Sequence, residues 1–331
     1  MVNRISPVMS SPMPCIQFKP IYQTRVWGGR TLESLFRRDL PDDGQPYGES
    51  WEISAREEAN SKVTGGEFDG KTLIELWSDE DTRLALFGPK APNSPRFPLL
   101  CKILDAREKL SIQVHPPAAV AKEFGGEPKS EVWYIAHAEP GAELYIGVEE
   151  GVTKESFRKA LEDGTADSLV HTIQPETGQH IYIPSGRLHG IGAGLLIYEI
   201  QQNSDTTYRV YDWGRMGMNG EPRDLHIDAS LKCIDFNDVA PEMNSRAGEV
   251  LCECDHFTLE QHSLEISQSI ETITEGRFAI LTIVSGKIKI DGIEFDEGEF
   301  LMVRYGSDAS SLIATSPAEV LLTTWPGDRG V

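Results

Sequence analysis

The chain has 331 residues, 39% hydrophobic and 25% charged, a composition that suits two linked globular domains or one large all-β unit and excludes a single small domain. A formal net charge of -21 argues against nucleic acid and against an anionic membrane surface as partners. No apolar run approaches the roughly 20 residues that a spanning helix needs, so the expectation is a soluble, cytoplasmic protein without membrane contact.

Residues 1–15, rich in Ser, Pro and Met and lacking the apolar core of a signal peptide, read as a disordered extension. Gly28 and Gly29 read as a turn, and Trp27 and Trp51 as core or pocket wall. Segment 71–87 has helical spacing in Leu73, Leu76, Trp77, Leu84 and Phe87. Segment 153–169 opens at Thr153 and sets Phe157 and Leu161 four apart, and Gly164 divides it into two short helices. Most of the remainder reads as short strands: 111–115, 131–138, 142–148, 180–184, 195–202, 278–292, 299–303 and 318–325. Many short strands between Gly, Asp and Pro turns indicate a sandwich, jelly roll or barrel.

A domain boundary is expected within 235–243, giving a first domain over 16–240 and a smaller β domain over 241–331. Gly178, Ile181, Ile183 and Gly186 have counterparts 120 residues later in Gly298, Leu301, Val303 and Gly306, which suggests a duplicated fold. At that offset His189 falls on Ala309, beside Ser307, Asp308 and Ser310, so the second domain is expected to bind no metal. The five cysteines follow no zinc or disulfide framework and read as thiols in a reducing compartment. Cys252 and Cys254, two apart in an apparent strand, point the same way.

The densest motif lies at 178–189. Gly178 starts a turn, Ile181 and Ile183 share one strand face, and Pro184 and Gly186 turn the chain so that His189 opens the next strand. This segment resembles the second sequence motif of the cupin superfamily, although Ala193 stands where that pattern usually has Asn. Gln113 and His115 are two apart in a strand ended by Pro116 and Pro117, and Glu131 opens the strand that follows. Cupins commonly combine two alternate ligands, a carboxylate and a distant His. Here that set is Gln113, His115, Glu131 and His189, which suits zinc and also manganese, iron or cobalt.

RVWGGRTLESLF (25–36), GESWEIS (48–54), FPLLCKILDAREKLSIQVHP (97–116), KSEVWYI (129–135) and QQNSDTTYRVYDWGR (201–215) resemble the short, bacterial type of mannose-6-phosphate isomerase in register over roughly 16–215. Ser130 replaces a Pro often found there. The resemblance implies two cupin-like jelly-roll barrels with a few short helices, and one divalent metal per chain, zinc foremost, on Gln113, His115, Glu131 and His189. It places Arg209 and Glu199 in the active site and matches Lys102 and Lys129 to basic residues near the substrate. Lys129 is counted with the catalytic groups, and Lys102, Arg187 and Ser111 with the substrate contacts. The implied partner is a small sugar phosphate, and the chain is a monomer or homodimer.

The residues themselves suit that chemistry. Aldose–ketose isomerisation through an enediol needs an electrophile for a developing oxyanion and a base that returns the proton. A divalent metal supplies the first. Glu199 is a candidate base or acid, or else an outward polar residue of an alternating strand. Arg209 offers a fork for an enediolate or phosphate oxygen, or else a surface ion pair with Asp205 or Asp212. Lys102, Lys129 and Arg187 would form the local basic cluster that an acidic chain needs for phosphate. Isomerisation of another sugar phosphate, and a binding protein without turnover, are the competing readings; the complete ligand set with Glu199 and Arg209 favours catalysis.

Overall fold

In a computed structural model, residues 14–245, 249–270, 276–307 and 312–326 are described, and they form mainly β-strands with a few short helices. Strand parity decides what each side chain touches. In Leu195–Gln202, Leu195 and Ile197 enter one core while Leu196, Tyr198 and Ile200 enter another. Leu99–Ala106 and Glu131–Ala138 divide in the same way: Leu104, Trp133 and Ile135 join the first core, and Ile103, Val132 and Tyr134 the second. Lys102, Glu131 and Glu199 therefore share the face of the first core.

A six-stranded antiparallel sheet runs in the order His180–Ile183, Glu131–Ala138, Leu195–Gln202, Leu99–Ala106, Ile21–Gly29 and Tyr47–Ile53. A five-stranded sheet runs Val170–Ile173, Leu144–Val148, His189–Ile191, Ile112–Val114 and Tyr208–Tyr211. Leu144, Ile146 and Ile191 of the second pack with Leu104, Ile135 and Ile197 of the first. The space between these sheets holds the polar residues described below.

The later part of the chain repeats this order. Phe300–Val303, Ala279–Ser285, Ala318–Thr324 and Thr258–Leu264 are neighbours in sequence of pairing, as are their counterparts His180–Ile183, Glu131–Ala138, Leu195–Gln202 and Leu99–Ala106. His180–Ile183 and Phe300–Val303 stand at the 120-residue offset read from the sequence. The glycines that precede them, Gly178 and Gly298, have φ of 89° and 85°, a left-handed conformation that side chains with Cβ resist. A three-stranded sheet of Ile293–Asp296, Lys287–Ile290 and Leu312–Ala314 covers the other side, with Leu281, Ile288, Phe295 and Val320 between.

The largest core lies where the two parts meet. Tyr198 stacks on Phe36 and meets Phe300 edge-on, and Phe278 lies 5.3 Å from Phe87 and 5.4 Å from Phe97, centre to centre. Each of Phe87, Phe97 and Phe278 is almost wholly buried and contributes about 1.5–3 kcal/mol by leaving water.

Several expectations change. Segment 71–87 is two helices, Leu73–Ser78 and Glu80–Phe87, because Asp79 leaves helical geometry and its carboxylate accepts the Thr82 N–H at 2.9 Å. Segment 153–169 does divide at Gly164, into Lys154–Asp163 and Ala166–Leu169. Run 278–292 breaks at Gly286 into strands of different sheets, since a Cβ there would lie 2.1 Å from the Pro317 carbonyl oxygen. Gly28 and Gly29 make no turn but end Ile21–Gly29, with Gly28 against the backbone of Gly48. Cys15 is not extension: Cys15–Gln17 pairs with Phe300–Val303, so the first described strand belongs to the later sheet. The extension at 1–13 and the ligand counterpart at Ala309, with Asp308 and Ser310, lie outside the described residues.

Candidate metal centre and cavity

His115 follows Ile112–Val114, and His189 opens a strand that pairs directly with it, His189 opposite Gln113. Glu131 reaches them from the facing sheet. All three of His115, Glu131 and His189 are buried to 1% exposure or less. Each ring is oriented by main chain: His115 Nδ1–H donates to the Thr206 carbonyl at 2.8 Å, and His189 Nδ1–H donates to the Arg187 carbonyl at 2.9 Å. With the proton on Nδ1, the neutral ring presents a lone pair at Nε2. His115 Nε2 lies 3.4 Å from Glu131 Oε2, and His189 Nε2 lies 3.8 Å from Glu131 Oε1. His115 Nε2 and Glu131 Oε1 have no hydrogen-bond partner among the described residues.

Lone pairs turned on one another without a proton between them are repulsive, and a cation resolves that. A tetrahedral ion with bonds of about 2.1 Å separates its ligands by about 3.4 Å, close to the spacing here. Burial, with the neighbouring imidazole, pushes His189 down to about 3, and burial with Lys129 lowers His115, so both rings stay neutral ligands. Burial opposes ionisation of Glu131, but the Lys129 ammonium beside it outweighs burial and holds the carboxyl well below its usual range. The Gln113 amide lies 3.3 Å from His189 Nε2, while the Ser111 hydroxyl donates to its oxygen at 3.2 Å. Rotating that amide by half a turn would bring its oxygen toward the cluster. The donor set therefore fits a divalent cation.

A cavity of about 340 Å³ opens beside this cluster, lined by Gln113, Lys129, Trp133, Glu199, Arg209 and their neighbours. Its floor is a cross-strand row set by register, Lys102 opposite Glu199 and Glu199 opposite Trp133, with Trp51 opposite Lys102 on the next strand supporting the row from outside the cavity. Lys102 Nζ lies 4.6 Å from the Trp51 ring centre, 3.5 Å from Glu49, 3.7 Å from Glu199 and 3.6 Å from Asp205. Lys129 Nζ lies 3.0 Å from Glu131 and 3.8 Å from Glu199. Glu199 accepts the Trp133 indole N–H at 3.0 Å.

Burial, and then the charge of Glu131, push the Glu199 carboxyl above its ordinary value despite the two lysines. Glu49 goes the other way. Burial opposes its charge, yet Lys102, Arg25 and the Trp51 indole hold it down at about 2. Burial tends to lower Lys129, and Glu131 and Glu199 outweigh it, so the ammonium stays protonated.

Arg209 lines the cavity beside Gln113, its register partner, and donates through Nη1 to the Asp224 carbonyl at 2.9 Å. Its Nε has no partner among the described residues. Ser111 also lines the cavity. Arg187, expected as a substrate contact, does not: its guanidinium makes two hydrogen bonds to Asp238, at 2.7 and 2.8 Å, and a third to the Tyr182 carbonyl, which hold it away from the cavity. Only its carbonyl serves the site, as the acceptor that orients His189. Arg25, Glu49, Thr207 and Arg223 line the cavity without having been singled out in the sequence, and Asp205, read there only as a surface partner of Arg209, lines it too and lies 3.6 Å from Lys102. Glu49 was within reach, since it alternates with Trp51 in GESWEIS. Arg223 carries no local signal and arrives through its paired hydrogen bonds to Asp212.

Two facing β-sheets bury a candidate metal cluster of two imidazoles and a carboxylate, with a polar cavity of mixed charge beside it. Residues 15–127 match the family model of the phosphomannose isomerase type I catalytic domain. The chain is 35% identical over 303 residues to mannose-6-phosphate isomerase ManA of Bacillus subtilis, covering 87% of this chain and 92% of that protein. It is 38% identical over 273 residues to mannose-6-phosphate isomerase of Streptococcus mutans, covering 80% and 83%. The crystal structure of mannose 6-phosphate isomerase from Bacillus subtilis superposes with a TM-score of 0.79 at 29% identity, over 94% of this chain and 99% of that one. This chain belongs to the mannose-6-phosphate isomerase family. Among the described residues no helix is long and apolar enough to cross a membrane.

Proposed function

We propose that this chain is a divalent-metal-dependent aldose–ketose isomerase that interconverts mannose 6-phosphate and fructose 6-phosphate through an enediol. The observation that carries the reading is the pair of Nδ1-anchored imidazoles aimed at Glu131, next to a cavity in which Glu199 lies between Lys102 and Lys129. Gln113, His115, Glu131 and His189 would hold the metal, which supplies electrophilic polarisation of the sugar's carbonyl and hydroxyl oxygens. The nitrogen and oxygen donor set makes zinc the first choice, with manganese, cobalt or iron as alternatives.

Glu199 removes the proton from C2 of the aldose and returns it to C1, and its raised pKa suits a group that must both take and give a proton. Lys129 stays protonated against Glu131 and donates to the oxyanion as it develops. Lys102, held by three carboxylates, fixes Glu199 and contacts a sugar hydroxyl. Ser111 positions the Gln113 amide. Arg209 offers its unpartnered Nε–H to an enediolate or phosphate oxygen.

The same strand order in both parts supports two cupin-like jelly-roll barrels, a catalytic one within 16–240 and a smaller one from 241 onward that recruits Cys15–Gln17. We take the enzyme to be cytoplasmic and a monomer or homodimer. The test of substrate is turnover of metal-replete protein on mannose 6-phosphate compared with glucose 6-phosphate, following fructose 6-phosphate in both. Rapid turnover confined to the mannose compound is expected. Equal rates on both, or none on either, contradict the proposal.

A further inference from the structure

We propose that Cys252 and Cys254 are an oxidisable dithiol, in which Cys254 reacts with a small hydroperoxide and Cys252 resolves the product as a disulfide. The pair lies on Val250–Glu253 and just past its end, an edge strand of the later sheet. Residues two apart in an extended strand are about 6.6 Å apart at Cα, within the range a disulfide spans. Their side chains pack on the same core, Cys252 buried within it and Cys254 against it, and each sulfur bears on the ionisation of the other.

The surroundings select Cys254 as the attacking sulfur. The Cys254 N–H donates to the Phe257 carbonyl at 3.1 Å, closing a turn that folds the backbone back over the sulfur. The neutral thiol donates to the same carbonyl, at 3.4 Å. The thiolate accepts instead from the Cys252 thiol, the His256 and Phe257 N–H groups and the Tyr182 hydroxyl. That cradle, with the Cys252 hydrogen bond foremost, brings Cys254 down to about 7, against an ordinary 9.0, and the same hydrogen bond pushes Cys252 up. Cys254 is only half-buried, whereas Cys15, Cys101 and Cys233 are buried and burial raises all three.

In the first step the Cys254 thiolate attacks the peroxide: an S–O bond forms, the O–O bond breaks, and the alkoxide or hydroxide leaves with a proton from water. Sulfur is oxidised by two electrons and the hydroperoxide is reduced by two. In the second, Cys252 loses its proton to the departing hydroxide as its sulfur attacks Cys254, so the S–S bond forms, the S–O bond breaks and water leaves.

The experiment uses the full chain near pH 7. Mass spectrometry of brief iodoacetamide labelling should show Cys254 modified about 10-fold or more faster than Cys15, Cys101 or Cys233. After hydrogen peroxide, the peptide carrying Cys252 and Cys254 should have lost two hydrogens and regain them with dithiothreitol. In Cys252→Ser, dimedone should label Cys254; in Cys254→Ser, neither the disulfide nor the adduct should form. Labelling of Cys254 no faster than of Cys101 overturns the proposal. So does peroxide treatment of the wild-type chain that yields no disulfide between the two.

Discussion

Glu199 and Glu49 stand on the same face, each within 4 Å of Lys102, yet their carboxyls are driven in opposite directions. The fold resists the Glu199 anion and supports the Glu49 anion. If Glu199 is the base, kcat/KM must fall as the pH drops through its raised pKa, so the acid limb should lie above the ordinary 4.5. A limb at or below 4.5 removes Glu199 from that role. Stability separates the pair as well. A depressed folded pKa contributes stability above the ordinary value that is lost as the pH falls through the folded one, so the Glu49 contribution is present above about 4.5 and disappears toward pH 2. A depression from 4.5 to about 2 corresponds to roughly 3 kcal/mol. Glu49→Gln should therefore lower Tm at pH 7, whereas Glu199→Gln should leave Tm unchanged or raise it while turnover collapses. Differential scanning calorimetry at pH 7 reads both. Arg209→Ala should cut kcat by about 100-fold with metal content intact, and Arg209→Lys should rescue poorly. A raised KM with normal kcat would instead make Arg209 a uniform phosphate contact. The cluster of His115, Glu131 and His189 was legible because its spacing is local: a His in a strand ended by Pro, a strand-opening Glu, and a His after a Gly-Pro-Gly turn. Arg187 misled because it is three residues past Pro184 in that motif, yet its side chain leaves the site for Asp238.

At the scale of elements, the cavity floor depends on strands that approach closely. A Cβ on Gly28 would lie 2.3 Å from the Gly48 nitrogen, and one on Gly48 would lie 2.6 Å from the Trp27 ring and 2.7 Å from the Arg25 Cβ. Trp27 and Arg25 both line the cavity. Gly48→Ala should therefore displace them, lowering Tm and raising KM for the sugar phosphate without releasing metal, because none of the ligands moves. Metal loss on that substitution would mean that Ile21–Gly29 and Tyr47–Ile53 support the ligands as well as the floor. This close approach is what the sequence concealed. A Gly-Gly pair also fits a turn, and only the partner strand across the sheet distinguishes the two. The helix boundary at Asp79 was hidden for a related reason, since the apolar spacing continues across it while the backbone does not.

The whole molecule is held by a core that the early and later parts share, from Leu73, Phe87 and Tyr198 to Phe278, Phe300 and Leu321. Ending the chain at 244 would bare that surface and leave Cys15–Gln17 without its partner strand, so the truncated protein should be insoluble. A soluble, active product would contradict the shared core. The acidic balance of the chain is compatible with an anionic substrate because Lys102, Lys129, Arg209 and Arg223 are gathered at one cavity. Under the proposed mechanism, turnover requires a cation on Gln113, His115, Glu131 and His189. The direct measurement is a coupled assay of mannose 6-phosphate turnover on chelator-stripped protein, with metal content determined before and after titration with zinc, and with manganese, cobalt and iron in parallel. Stripping should abolish activity, activity should return as bound metal rises to one ion per chain, and His189→Ala should neither recover activity nor retain the ion. Full activity in the metal-free protein would contradict the proposed mechanism.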